Sequence, residues 1–242
     1  MSALGTVLLL IFASQAPSDD PSADFLFGAP RGSIGFRGGV FLARADSDVY
    51  RFFEETLTIE AGDFDAPAFG IDVGLAVHSR FDVLFGFDFS RASITSEDRD
   101  FVDENDLPIV QQTSLTILPF TGSLKAYLGP RGREISRFAY VPAKVRPYVG
   151  AGGGFLWYEL KQEGDFVDRS DLTIFTTVVR STGFGLAAQA FGGVEVSIGT
   201  RWFVSVEGRY LWADSGLSGD FIGFEPIDLT GLKVTGGINY SF

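Results

Sequence analysis

The sequence predicts an all-β fold, an eight-stranded antiparallel up-and-down transmembrane β-barrel. Three observations carry that expectation. Segments of strict period-two alternation recur along the chain. The connections between them alternate between tight turns and long stretches. The composition joins 30 Gly with 25 Phe, and Gly weakens helices while aromatics favour strands.

The remaining bulk properties narrow the function classes. A chain of 242 residues suits one domain of barrel type. There is no Cys, so disulfides, zinc knuckles and thiol catalysis are not on offer. A net charge of −12 argues against wrapping nucleic acid, which needs basic patches. No internal run of eighteen apolar residues occurs, which argues against a transmembrane helix. Leu4 to Ala13 is a short apolar run followed by Ser14-Gln15-Ala16, the pattern of a secretory signal. We therefore expect a signal over 1–16, truncated if the true start lies upstream of Met1, a polar lead-in over 17–32 and the barrel over 33–242.

The strands follow in order. In 34–43, Ile34, Phe36, Val40 and Leu42 oppose Arg37 and Phe41. In 69–78, Phe69, Ile71, Val73, Leu75 and Val77 oppose Asp72 and His78. In 80–90, Phe81, Val83, Phe85, Phe87 and Phe89 oppose Asp82 and Asp88. In 113–128, Leu118, Phe120, Leu124 and Leu128 oppose Thr121, Ser123, Lys125 and Tyr127. Leu115, Ile117 and Pro119 are out of phase there, and a bulge near Pro119 is expected.

The second half continues the pattern. In 145–158, Val145, Val149, Ala151, Phe155 and Trp157 oppose Arg146, Tyr148, Gly150, Gly152, Gly154 and Tyr158. In 184–198, Phe184, Leu186, Ala188, Val194 and Val196 oppose Gln189, Phe191, Glu195 and Ser197. Trp202 to Trp212 alternates apolar residues with Phe203, Ser205, Glu207, Arg209 and Leu211. In 229–242, Leu232, Val234, Ile238, Tyr240 and Phe242 oppose Lys233, Thr235, Asn239 and Ser241. Tight turns fall at 78–80 and 199–200. Long connections are expected at 44–67, 91–112, 159–182 and 213–228, and the 129–144 connection is long enough for strand extensions.

Polarity decides which face is inside. The polar faces carry Arg37, Asp72, Asp82, Asp88, Lys125, Arg146, Glu195, Glu207 and Arg209, and the apolar faces are almost free of charge. An eight-stranded ring has room for little more than side chains. It cannot also hold the Phe stripe of 81–89, whereas charges of both signs pair well in a narrow lumen. The apolar face therefore turns to lipid. A soluble lipocalin-like binder is the inverted alternative. Trp202 and Trp212, ten residues apart on the outer face, should lie roughly 26 Å apart along the axis. With Trp157 and Tyr210 on the loop side and Tyr240 on the turn side, they would mark the two membrane interfaces.

The ending Gly236-Gly237-Ile238-Asn239-Tyr240-Ser241-Phe242 resembles the C-terminal signature of small eight-stranded bacterial outer-membrane β-barrels. The stretches Arg146–Gly154 and Val206–Tyr210 are similar to the OmpA-like and OmpW-like members. The resemblance covers 33–242. It implies location in the bacterial outer membrane, with lipid and lipopolysaccharide as surroundings. It also implies a terminal Phe242 read by the barrel-assembly machinery.

The expected chemistry is sparse. The inward charges read as a salt-bridge network filling the lumen, with a gated pore or proton path as the functional alternative. Gly150, Gly152 and Gly154 would leave room for large inward residues such as Arg209. Outer-membrane barrels that act on lipid A use a His with a Ser near the extracellular side. Here the single His78 sits at the opposite end, and neighbouring strand residues point to opposite faces. No catalytic residue, cofactor or metal site is expected. Two connections are acidic: Asp46, Asp48, Glu54, Glu55, Glu60, Asp63 and Asp65 in one, Glu97, Asp98, Asp100, Asp103, Glu104 and Asp106 in the next. They read as solvated loops, or as a surface for divalent cations or a basic partner. The 129–146 stretch is basic, with Arg131, Arg133, Arg137, Lys144 and Arg146. The expected function is a structural or surface-interaction barrel, the alternative an OmpW-like passage for a small hydrophobic molecule. The ending at Phe242 gives no support to a peptidoglycan-anchoring role.

Overall fold

The computed structural model describes residues 25–103, 106–136, 139–168 and 172–242. The signal expected over 1–16, the lead-in over 17–24, Glu104 and Arg137 lie outside these residues. Among the described residues, eight long antiparallel strands close a ring. They are β1 (Gly32–Ala43), β2 (Ala66–His78), β3 (Phe81–Val102) and β4 (Pro108–Tyr127). The ring continues with β5 (Val145–Val167), β6 (Ile174–Ser197), β7 (Trp202–Ser215) and β8 (Gly231–Ser241). Each pairs with its neighbours in the chain, and β8 pairs with β1 from Ser33↔Ser241 to Ala43↔Gly231. Closure removes the exposed edges that an open sheet would carry.

Side-chain parity holds along every strand. Phe81, Phe85, Phe87 and Phe89 are 39%, 57%, 37% and 36% exposed, while the alternating Asp82 and Asp88 are 2% and 3% exposed. Apolar side chains form a belt around the outside of the ring, and charges occupy its inside. A closed barrel with that polarity spans a membrane. The belt ends at one level: Leu118, Trp157 and Phe184 are register partners, and the row above them is Arg91, Thr116, Glu159 and Thr182.

Several strands run far beyond their expected ends. The stretches 91–112 and 159–182, expected as loops, are mostly strand, and only 103–107 and 168–173 connect β3 to β4 and β5 to β6. With 23 residues, β5 rises roughly 60 Å along the axis at a tilt near 40°, against a belt of about 25 Å. Over half of it stands outside the membrane.

The bulge expected near Pro119 is absent. Pro119 pairs with Leu156 in unbroken register, and β3 and β4 keep the same register on either side of it. Leu115 and Ile117 point into the barrel, each 3% exposed. Just above the belt the polarity of the wall reverses, with apolar residues inside, and further up the polar Gln111, Thr113, Gln162 and Ser181 join them in the interior. On β5 the same reversal sets Leu156, Tyr158 and Leu160 inside while Glu159 and Lys161 face out.

An apolar cap fills this upper interior. It comes from 44–65, expected as a plain loop. There Asp48–Thr56 forms a helix, α1, and Ala61–Phe64 a 3-10 turn. Val49, Tyr50 and Phe53 share one helix face at i, i+1 and i+4 and are at most 1% exposed. They pack with Phe41, Ile59, Phe64, Leu156, Leu211 and Phe221. The Phe53 and Phe64 rings stack with centroids 6.4 Å apart, and Phe221 meets Phe53 edge-on at 6.2 Å. At the opposite end a short hairpin pairs Gly132–Ser136 with Ala139–Pro142, and Leu26 bridges to Tyr140.

Candidate functional site

The lumen is where the sequence concentrates its unusual chemistry, and period two accounts for it. An inward charge on one strand meets inward charges one to four strands away across a narrow ring. All nine inward charges named above point into the barrel. They form two separate groups, and two further basic residues join them.

The middle group is balanced. Asp72, Asp88 and Glu207 face Arg37, Arg209 and Lys233. Arg37 donates from Nη1 to Glu207 Oε1 at 3.0 Å and from Nη2 to Asp88 Oδ1 at 2.8 Å, with Asp72 Oδ2 at 3.2 Å from Nη1. Arg209 donates from Nε to Glu207 Oε1 at 2.9 Å and from Nη1 to Gln189 Oε1 at 3.4 Å. Lys233 Nζ lies 3.3 Å from Asp88 Oδ2. Tyr148 donates its hydroxyl to Glu207 Oε2 at 2.9 Å, and Gln189 donates to Thr121 Oγ1 and Ser123 Oγ. Three acids against three bases leave no net charge to neutralise. That matters because an unpaired buried ion costs several kcal/mol.

The second group lies nearer the turn end. Glu195 takes Lys125 on one oxygen and Arg146 on the other, the latter at 2.6 Å. Asp82 is paired by Arg131, from the turn-side connection, at 2.8 Å, and receives the Tyr127 hydroxyl at 3.2 Å. Stacking adds to the packing: the Arg146 guanidinium lies 3.4 Å from the Phe203 ring centroid, and that of Arg209 lies 4.6 Å from Phe191.

Missing side chains make this packing feasible. A Cβ at Gly70 would lie 2.6 Å from Arg37 Nε and collide with Asp88, so only Gly lets that ion pair cross. At Gly150 a Cβ would run into the Phe191 ring. The room left by Gly150 is therefore filled by Phe191, on which Arg209 rests, and not by Arg209 itself. Gly152 and Gly154 instead meet neighbouring backbone on β4.

A cavity of about 20 Å3 lies in the middle of the lumen, bordered by Arg37, Asp72, Lys125, Tyr148, Glu195 and Glu207. That is room for a water or two. Above it the cap closes the interior. Tyr50 donates its hydroxyl to the Asp228 carbonyl at 2.8 Å, and burial followed by the Asp228 carboxylate pushes its phenol well above the usual range. Asp228 also holds Arg44 Nε at 3.1 Å. The cap is tied to β3 through Thr58 N–H to Glu97 O at 2.9 Å and Arg99 Nε to Leu57 O at 2.5 Å.

The remaining candidates fall outside the lumen. Trp157, Trp202, Tyr210, Trp212 and Tyr240 face outward, Trp202 and Trp212 being 48% and 47% exposed. Tyr210 meets Trp212 at 4.8 Å and Trp202 meets Tyr240 at 4.9 Å, which sets one aromatic pair at each end of the belt. Phe242 is 54% exposed at the turn end. His78 closes the β2–β3 turn, where strand alternation no longer applies. Ser79 Oγ therefore lies 3.4 Å from its Nδ1, and the Arg80 N–H donates to that nitrogen at 3.3 Å. Among the described residues, no group of three or more His, Asp or Glu is disposed to hold a metal ion.

Lys233 and Arg131 are the lumen members that sequence reasoning passed over. Lys233 stood on the inward face of the last strand. Its place directly across from Arg209 gives no hint of a partner until Asp88 reaches it from β3. Arg131 lies outside any strand, so alternation says nothing about it.

No protein-family model matches the chain, and no curated protein sequence matches it. Solved structures of similar shape are outer-membrane proteins. The chain is 13% identical to the outer membrane protein OprG of Pseudomonas aeruginosa, over 90% of this chain and 99% of that one, with a TM-score of 0.49. It is 13% identical to the attachment invasion locus protein Ail of Yersinia pestis, over 88% and 99%, with a TM-score of 0.44. For Neisserial surface protein A the identity is 10%, over 91% and 98%, with a TM-score of 0.43. The closed ring of eight antiparallel strands, the outward apolar belt and the ionic interior together make this chain an eight-stranded transmembrane β-barrel in fold.

Proposed function

We propose that in the bacterial outer membrane this chain serves as a sealed structural barrel that presents its loop end, and not as a conduit. The observation that carries this reading is the double seal. A charge-balanced network fills the middle of the lumen around a cavity of about 20 Å3, and α1 with its apolar neighbours fills the upper part. What projects from the membrane is the four-stranded wall of β3 to β6, next to the cap. Its loop-end rim is rich in Asp and Glu, which suits divalent cations or a basic partner. In this reading Phe242 serves the barrel-assembly machinery, and the outward Trp and Tyr anchor the two interfaces. Planar bilayer recordings test it. The folded barrel should give no stable conductance steps above the bare bilayer, and long-lived steps would refute the seal.

A second reading, passage of a small hydrophobic molecule, draws on one observation. The upper interior is apolar, and a groove of about 670 Å3, lined by Leu186, Ala188 and Trp212 but also by Arg44, Asp46, Asp214 and Asp228, runs beside it. A molecule using that interior must first displace α1. Vesicles carrying the barrel would then take up an apolar dye faster than protein-free vesicles. Equal rates support the sealed barrel.

A further inference from the structure

At the turn end, two surface features meet on the wall made by β7, β8 and β1. The first is an apolar groove of about 200 Å3 on the lipid-facing side, lined by Ile34, Phe36, Trp202, Ile238 and Tyr240. Register explains its straightness, since Ile34, Tyr240 and Trp202 are cross-strand partners in one row. The second is a pocket of about 370 Å3 just below, lined by Phe27, Arg31, Arg201 and Phe242 among others. The two adjoin: the Arg31 N–H donates to the Phe242 carbonyl at 2.8 Å, and the Ser241 N–H to the Arg201 carbonyl at 2.8 Å. Arg31 and Arg201 both line the second pocket together with Phe242, whose ring stacks on Tyr240 of the groove with centroids 6.5 Å apart.

Among the described residues, neither Arg31 nor Arg201 makes an ion pair, and the Arg201 head donates to the Ser241 carbonyl at 3.5 Å. No Asp or Glu lines either pocket, although one acid, Glu134, lines the neighbouring pocket that Arg31 also borders. This stands out in a chain of net charge −12, whose acids crowd the other end. Belt-level apolar walls ending at paired cations match one kind of molecule. An acyl chain lies in the groove, and a phosphodiester sits at headgroup depth between two forked donors.

The geometry points to a binding site for an anionic phospholipid of the leaflet at the turn end. Ile34, Phe36, Trp202 and Ile238 take the acyl chain, and Arg31 and Arg201 take the headgroup phosphate. A zwitterionic headgroup carries its own cation and offers these arginines less. Each guanidinium at an anionic surface is worth about a fivefold preference. The inference assumes membrane insertion and goes beyond the sealed-barrel reading by naming a ligand class.

The placement of tryptophans supplies a reporter. Trp202 lies in the groove, and Trp157 and Trp212 lie at the other edge of the belt. The double variant Trp157→Phe/Trp212→Phe therefore leaves one emitter at the site. It is folded into phosphatidylcholine vesicles, with insertion checked first by heat-modifiability. A failure to insert is thereby distinguished from a failure to select lipid. Brominated phosphatidylglycerol or brominated phosphatidylcholine is then added at equal mole fraction, and Trp202 quenching is read. The expected result is at least about fivefold stronger association of phosphatidylglycerol, lost on adding Arg31→Gln/Arg201→Gln. Equal quenching by the two lipids overturns the proposal, as does a preference that survives the arginine changes. Quenching that weakens as the barrel-to-lipid ratio rises would identify the groove as a contact between copies, and also overturns it.

Discussion

Arg209 holds the middle of the lumen through its fork to Glu207, its donor bond to Gln189 and its seat on Phe191. Truncating it leaves three acids facing two bases. Arg209→Ala should destabilise the barrel by roughly 3–5 kcal/mol, read as a lower urea midpoint in a heat-modifiability gel, while bilayer conductance stays at background. Arg209→Lys keeps the charge and loses the fork, so its midpoint should fall between the two. Tyr50 gives a pH prediction. Its raised phenol means that the cap keeps its full stability below the ordinary tyrosine range near 10 and loses it as pH climbs beyond. Proteolysis of 44–65 should accelerate above that pH in the wild type, and Tyr50→Phe should remove the acceleration. At this scale the inward charges were legible because parity alone sorts a strand. Lys233 was not, because its partner Asp88 sits three strands away around the ring through β1 and β2.

At the scale of elements, the limits of sequence reading have one physical source: hydrophobicity changes phase where the wall leaves the membrane. On β4, outward Leu118 and Phe120 give way to inward Leu115 and Ile117, which mimics a bulge at Pro119. On β5, outward Phe155 and Trp157 give way to inward Tyr158 and Leu160, which mimics the end of the strand. The backbone alternates throughout, and only the solvent on its outer side changes. Helix α1 was hidden for a different reason. Nine residues with aspartate and glutamate at both ends read as a polar loop, and its apolar face of Val49, Tyr50 and Phe53 has meaning only with the barrel mouth to receive it. Phe53 joins Phe64 and Phe221 there. Phe53→Ala should therefore cost the cap about 3–5 kcal/mol. The measurable result is faster protease cleavage within 44–65, with the barrel band in a heat-modifiability gel unchanged. If cleavage is unaltered, the cap is not held by that apolar contact.

The whole molecule is a closed membrane barrel of eight strands, four of which, β3 to β6, continue above the belt as a wall of reversed polarity. Its charge is polarised along the axis, with acids crowding the loop end and, among the described residues, Arg31 and Arg201 outside any ion pair at the turn end. The lumen is closed by ion pairs at one level and by apolar packing at the next. All of this depends on the greasy side of β3 facing lipid while its charged side stays sealed. Because the chain contains no Cys, spin labels can be placed singly along 81–89. With the barrel in bilayers, labels at Phe81→Cys, Phe85→Cys and Phe89→Cys should collide freely with dissolved oxygen and hardly at all with a water-soluble nickel complex. Labels at Leu84→Cys and Gly86→Cys should be shielded from both. Even positions open to oxygen, or odd positions open to nickel, would contradict the account.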